Sequence, residues 1–139
     1  MPLKRVLVAD DSRIFRALIT EVLRERRLEV LEAANGRDAL AALLAHRPEL
    51  AILDALMPVL SGFEVIGKLR EQAPDYRPVI FMVTAVYKSR RWETEARQQY
   101  QVEEYLEKPL EPAELVRIMG RHFPDLAQPG AAGGPRPDG

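Results

Sequence analysis

The sequence predicts an α/β protein: one doubly wound parallel sheet with helices on both faces. Three observations lead there. Short unbroken apolar runs at Val6–Ala9, Leu50–Leu53 and Val79–Val83 have the length and branching of strands buried on both sides. Between them lie stretches whose apolar residues recur every three or four positions, as on the inner side of a helix. The connections are too long for hairpins, so strand and helix alternate five times as far as Phe123.

The first strand, Val6–Ala9, stops at Asp10-Asp11-Ser12. Ser12 suits an N-cap, and Phe15, Leu18, Ile19, Val22 and Leu23 then share the inner face of a helix, opposite Arg16, Glu21, Arg24 and Glu25. Leu28–Ala33 is a weaker strand that Glu29 and Glu32 assign to an edge. Asn35-Gly36 is a turn signal; Ala39, Leu40, Leu43 and Leu44 give the second helix its apolar stripe, and Arg47-Pro48 stops it. Leu50–Leu53 runs straight into Asp54, and Pro58 ends regular structure soon after. Ser61-Gly62 opens a third helix with Val65, Ile66 and Leu69 inward, closed at Ala73-Pro74. Val79–Thr84 is the fourth strand. A charged helix, roughly Arg90 to Gln101, follows. Lys88, Arg90 and Arg91 read as its solvated start, with contact to acidic partners as the alternative. Trp92, on one stripe with Ala96 and Tyr100, reads either as core packing or as an exposed partner anchor. Val102–Glu107 is the fifth strand, cut by Lys108-Pro109. The last helix opens near Pro112, with Leu115, Ile118, Met119 and either His122 or Phe123 facing in. Residues 1–123 thus form one domain, and the Pro/Gly/Ala text of 124–139 reads as a flexible tail or linker.

Composition narrows the function classes. A length of 139 residues accommodates one ordinary domain, and 47% hydrophobic residues supply a normal core. The net charge of −1 offers no overall field for nucleic acid or anionic lipid. The absence of cysteine excludes a disulfide framework and a thiolate metal site. Met1-Pro2-Leu3-Lys4-Arg5 leads directly into a strand without a signal-peptide core, and no apolar segment is long enough to span a bilayer, so a cytoplasmic protein is expected.

The chemistry collects at strand ends. Neighbouring strands lie about 4.8 Å apart, so acids closing the first and third strands, Asp10-Asp11 and Asp54, can converge at the carboxyl edge where α/β sheets bind ligands. Carboxylates crowded together repel unless a cation is present, and oxygen ligands without His or Cys suit Mg²⁺. Strand four ends in a hydroxyl, Thr84, and strand five in a cation, Lys108. Phosphoryl transfer uses this set: a nucleophile, a metal and donors for the equatorial oxygens. Each member alone has a plainer reading; an Asp pair after a strand commonly caps a helix. Their shared position at the carboxyl ends of the sheet makes the set specific.

The chain resembles the receiver domain of two-component response regulators. The likeness covers about Leu3 to Phe123 and rests on Val-Leu-Val-Ala-Asp-Asp-Ser at 6–12, Ala-Asn-Gly at 34–36 followed by Ala39-Leu40, Asp54-Ala-Leu-Met-Pro58, Gly62, Thr84-Ala85 and Tyr105-Leu-Glu-Lys108-Pro109. The resemblance implies a flavodoxin-like sheet with strand order 2-1-3-4-5 and five flanking helices. It implies that Asp54 accepts a phosphoryl group from a phosphohistidine of a sensor histidine kinase or phosphotransfer protein. Asp11, Asp54 and the main-chain carbonyl of Leu56 are then expected to ligate Mg²⁺, with Asp10 acting mainly through a metal-bound water. Lys108 pairs with the phosphoryl group, Thr84 moves to donate a hydrogen bond to it, and Tyr105 turns inward in response. The peptide before Pro109 is expected to be cis. Output is expected from the face of the fourth helix, fifth strand and fifth helix, toward an unknown downstream protein or a fused output domain. The linker-like composition of 124–139 favours the fused arrangement.

Two departures from the family pattern stand out. The segment between Thr84 and Lys108 is somewhat long, and Gln101 occupies a position where many relatives have Gly. Leu56 and Val86, two residues beyond Asp54 and Thr84, border the path of the hydrolytic water in the family; both are apolar, which predicts a long-lived phosphorylated state. The expected role is that of a switch assisting its own phosphorylation and slow dephosphorylation, with no separate enzyme activity. The alternative is a receiver-like docking module indifferent to phosphate. A flavin-binding protein of the same strand order is disfavoured by the acidic loop after strand one, and a metal phosphohydrolase by the lack of a second general acid.

Overall fold

The computed structural model describes residues 2–85, 94–95 and 97–127. Its elements are β1 (Arg5–Ala9), α1 (Arg13–Arg24), β2 (Glu29–Ala33), α2 (Gly36–His46), β3 (Leu50–Asp54), α3 (Gly62–Gln72), β4 (Val79–Thr84), β5 (Glu104–Glu107) and a last helix, α4 (Pro112–His122). The five strands are parallel in the order β2-β1-β3-β4-β5. The predicted fold class and strand order are therefore observed. Among the described residues four α-helices are complete, where five were expected. Of the expected helix at 90–101, only Thr94, Glu95, Arg97 and Gln98 are helical among the described residues. Val86, Lys88, Arg90, Arg91, Trp92 and Ala96 lie outside the described residues.

Alternation along each central strand divides the core in two. Val6 and Val8, Leu50 and Ile52, and Phe81 and Val83 face Ile19 and Leu23 of α1 and Leu115, Ile118 and Met119 of α4. The intervening Leu7, Ala9, Ala51, Leu53, Ile80 and Met82 face Leu40 and Leu43 of α2 and Val65, Ile66 and Leu69 of α3. Because successive side chains of a strand point to opposite faces, the unbroken apolar runs are what a sheet covered on both sides requires. All five residues of β3 are buried; shortening Ile52 to Ala would cost about 2–5 kcal/mol. β2 is one of the two edge strands, with Glu29 and Glu32 exposed.

Packing moves some side chains from where the periodicity put them and decides others that it left open. Leu18 is 50% exposed, and the buried residues of α1 are Ile19, Thr20 and Leu23. The sheet covers only one flank of α1, and Leu18 falls outside it, bordering a shallow groove with Val22 and Pro112. At the end of α4, Phe123 enters the core and His122 stays half-buried, Nε2 lying 2.9 Å from Glu104 Oε2. Past Phe123 the chain makes a 3₁₀ turn, Pro124–Ala127, that packs Leu126 into the core on the α1/α4 side. No helix among the described residues is long and apolar enough to cross a membrane.

Local signals set the helix starts. Ser12 accepts from the Phe15 amide, Asn35 from that of Asp38, and Ser61 with Glu64 forms a reciprocal capping box. Two glycines permit close approach of backbones. A Cβ at Gly62 would lie 2.4 Å from the Asp54 carbonyl oxygen, and one at Gly36 would lie 2.1 Å from that of Leu60. The loop leaving β3 is thereby pressed between the N-termini of α2 and α3, with Gly36 N donating to Pro58 O and Gly62 N to Ala55 O.

Candidate functional site

Register and alternation assemble the site. Ala9 pairs with Leu53, so one further rung sets Asp10 beside Asp54. Asp10 continues the Val6–Val8 series and Asp54 the Leu50–Ile52 series, both on the α1/α4 side of the sheet. Lys108 follows Leu106, which packs on the same side. Three acids and a lysine far apart along the chain are therefore brought to one sheet edge. Carboxylate oxygens of Asp10, Asp11 and Asp54 all lie within 4.8 Å of one another. Lys108 Nζ is 2.6 Å from Asp10 Oδ2 and 3.6 Å from Asp54 Oδ2.

The surroundings hold these groups in place. Asp10 N donates to Ala33 O, continuing the β1–β2 ladder past the strand end. Ser12 N donates to Asp10 Oδ1 at 2.8 Å, and Leu56 N to Asp54 Oδ1 at 3.1 Å. Arg16 Nη1 donates to the Asp10 carbonyl at 2.7 Å. Lys108 N donates to Thr84 O, joining the ends of β4 and β5, and the Lys108–Pro109 peptide is cis. Val59, in the loop after β3, is 64% exposed with a left-handed φ of 73°, a strained conformation for a β-branched residue.

Asp10 and Asp54 are buried and Asp11 is exposed. Burial, then the Asp10 charge, pushes the Asp54 carboxyl up to about 6, while the Leu56 amide and Lys108 pull the other way. One ammonium is thus insufficient for three acids. The cluster fits a hard divalent cation such as Mg²⁺ in donor type, since all its ligand atoms are oxygens, and in its excess of negative charge.

Thr84 is fully buried at the end of β4, and Tyr105, opposite Met82 in β5, is buried with its ring directed into the α2/α3 side of the core. Leu56 is 49% exposed beside Asp54. The sequence reading expected Asp10, Asp11, Asp54, Thr84 and Lys108 around one pocket; the three acids and Lys108 lie close to one another, and Thr84 is buried at the end of β4. That reading missed Phe15, whose ring centroid is 4.4 Å from Lys108 Nζ, and Arg16, both read only as helix residues. No sequence signal marks either, because the residues they touch belong to other elements.

Comparisons with known proteins bear on the family and the fold. The response regulator receiver domain model matches residues 6–119. An uncharacterized 14.6 kDa protein of Leptolyngbya boryana is 32% identical over 117 residues, covering 84% of this chain and 88% of that protein. The protein-glutamate methylesterase/protein-glutamine glutaminase of Geobacillus kaustophilus is 38% identical over 113 residues, 80% of this chain but only 32% of the relative. Among solved structures, chemotaxis protein CheY4 of Vibrio cholerae matches with TM-score 0.77 at 32% identity, covering 86% of this chain and 98% of its own. A CheY-like receiver domain protein of Methanospirillum hungatei matches with TM-score 0.78 at 25% identity, covering 89% and 96%. With its fold, its acidic pocket and a family match over most of its length, this chain belongs to the response regulator receiver domain family of two-component signalling.

Proposed function

We propose that Asp54 is the phosphoacceptor of a phosphorylation-controlled switch, charged by a sensor histidine kinase or phosphotransfer protein and read by a downstream protein or fused output domain. The observation that carries this reading is the convergence of Asp10, Asp11, Asp54 and Lys108 within one pocket. An Asp54 oxygen attacks phosphorus, the bond from phosphorus to the donor's imidazole nitrogen breaks, and an acyl phosphate forms. The Leu56 amide orients the carboxylate for this step. Lys108, 3.6 Å from Asp54 Oδ2, is within easy reach of a phosphoryl oxygen carried there. Asp11, Asp54 and the Leu56 carbonyl would hold Mg²⁺, with Asp10 acting through a water of the ion. The metal would supply charge neutralisation for the transferring group.

In the same reading Thr84 and Tyr105 form the switch. A new dianion draws the Thr84 hydroxyl toward it, and the space beside β4 biases the position of the Tyr105 ring. The response would be expressed on the face formed by β5, α4 and the segment preceding β5, in the cytoplasm. Residues 124–139 would serve as a tail or linker that begins with the packed turn Pro124–Ala127. Incubation with a small-molecule phosphodonor and Mg²⁺, followed by intact mass, tests the central claim. Wild type should gain the mass of one phosphoryl group and Asp54→Ala none. A wild type that gains nothing would leave the phosphate-independent docking module as the better account.

A further inference from the structure

We infer that Phe15 is a positioning residue for Lys108, an aromatic face that holds the ammonium over the acid pocket. This inference rests on the phosphoacceptor reading above. The Phe15 ring centroid lies 4.4 Å from Lys108 Nζ, well inside the range in which a ring quadrupole attracts a cation. The Lys108 side chain is 15% exposed, so water screens the contact only in part. The remaining contacts of the ammonium are unequal, 2.6 Å to Asp10 and 3.6 Å to Asp54.

A ring has a specific advantage at this position. A carboxylate beneath Lys108 would add a fourth negative charge to an already crowded cluster. An amide or hydroxyl would compete for the ammonium's hydrogens. An aromatic face attracts the cation, adds no charge, and leaves those hydrogens for oxygen acceptors.

The ring is also registered to the acids. Ser12 N donates to Asp10 Oδ1, and Ser12 Oγ accepts from Phe15 N at 3.2 Å. Two hydrogen bonds thereby tie the backbone of Phe15 to the carboxylate that Lys108 contacts. The next residue, Arg16, grips the Asp10 carbonyl. The first turn of α1 therefore carries the acid loop and the ring as one piece, and Lys108, arriving from β5, is seated between them.

Fluorinated phenylalanines of nearly unchanged shape introduced at position 15 of the full chain separate cation attraction from packing. With a small-molecule phosphodonor and Mg²⁺, the rate of Asp54 labelling should fall stepwise with ring fluorination. By the trifluoro ring or Phe15→Leu it should be reduced about two- to fivefold. Phe15→Tyr should restore it. Melting temperatures, recorded alongside, should hardly change across the fluorine series. The ε-protons of Lys108 should show an upfield ring-current shift in wild type that disappears in Phe15→Leu. Equal labelling rates for the trifluoro and native rings, or no ring-current shift, would overturn the inference while leaving Asp54 as acceptor. Absence of any labelling in wild type would instead overturn the phosphoacceptor reading beneath it.

Discussion

Asp54→Asn should make the metal-free protein more stable, although the residue it replaces is the proposed centre of function. The fold pushes the Asp54 carboxyl from 3.8 to about 6, chiefly by burial and then by Asp10. At about 1.4 kcal/mol for each tenfold in proton affinity, the ionised carboxylate costs the fold at most about 3 kcal/mol. Solvent at the pocket mouth screens part of this, leaving about 1–2 kcal/mol. Asn keeps an oxygen for the Leu56 amide, so that bond need not be lost. The sign follows from linkage: a raised folded-state pKa favours the neutral form. The stability contributed by neutral Asp54 is complete below pH about 4 and disappears as the pH rises through about 6. In EDTA at pH about 8, Asp54→Asn should therefore melt some 4–8 °C above wild type. At pH about 4 the two should nearly coincide. A variant that melts at or below wild type in the alkaline buffer, or gains equally in both, would refute the electrostatic account of the pocket.

Mg²⁺ should raise the wild-type melting temperature, since it binds only the folded arrangement; at a hundredfold excess over Kd the gain is about 2.7 kcal/mol. Asp11→Ala and Asp54→Ala should each abolish most of it, and indifference of wild type to Mg²⁺ would refute the metal assignment. Once labelled, the protein should lose its phosphoryl group slowly in Mg²⁺ buffer, because the apolar Leu56 at the pocket mouth cannot orient a water. Leu56→Asn should speed the loss, and rapid loss from wild type unaffected by that substitution would count against it. Gln101 has a left-handed φ of 59°. Gln101→Gly should accordingly stabilise the chain by about 0.5–1 kcal/mol in chemical denaturation, less whatever its exposed bond from Arg77 contributes. A loss of stability would mean that this bond outweighs the strain.

Much of this protein is legible in its residues alone. Apolar runs without a polar alternate fit only strands covered on both faces, and their alternation with helical stripes leaves few windings. Acids at the ends of two such runs mark the sheet edge where they meet. The departure at Gln101 was equally visible, and its left-handed backbone is the conformation that glycine adopts most readily. Other features were not legible, because they depend on which partner a side chain meets. Leu18 shares the helical stripe of Ile19 and Leu23 in sequence, yet the flank of α1 that carries it stands clear of the sheet. The periodicity of the last helix allowed His122 or Phe123 inward, and only packing against Phe81 and Glu104 separated them.

Periodicity and residue chemistry by themselves determined the fold class and the identity of the acids. Both follow from interactions along the chain or from the polarity of single side chains. The three-dimensional arrangement decided how those groups act on one another. It set the 2.6 Å and 3.6 Å contacts of Lys108, the elevated proton affinity of Asp54 and the ring of Phe15 beneath the ammonium. Such effects depend on distance and on exclusion of water, and neither exists until strands distant along the chain are assembled into one sheet.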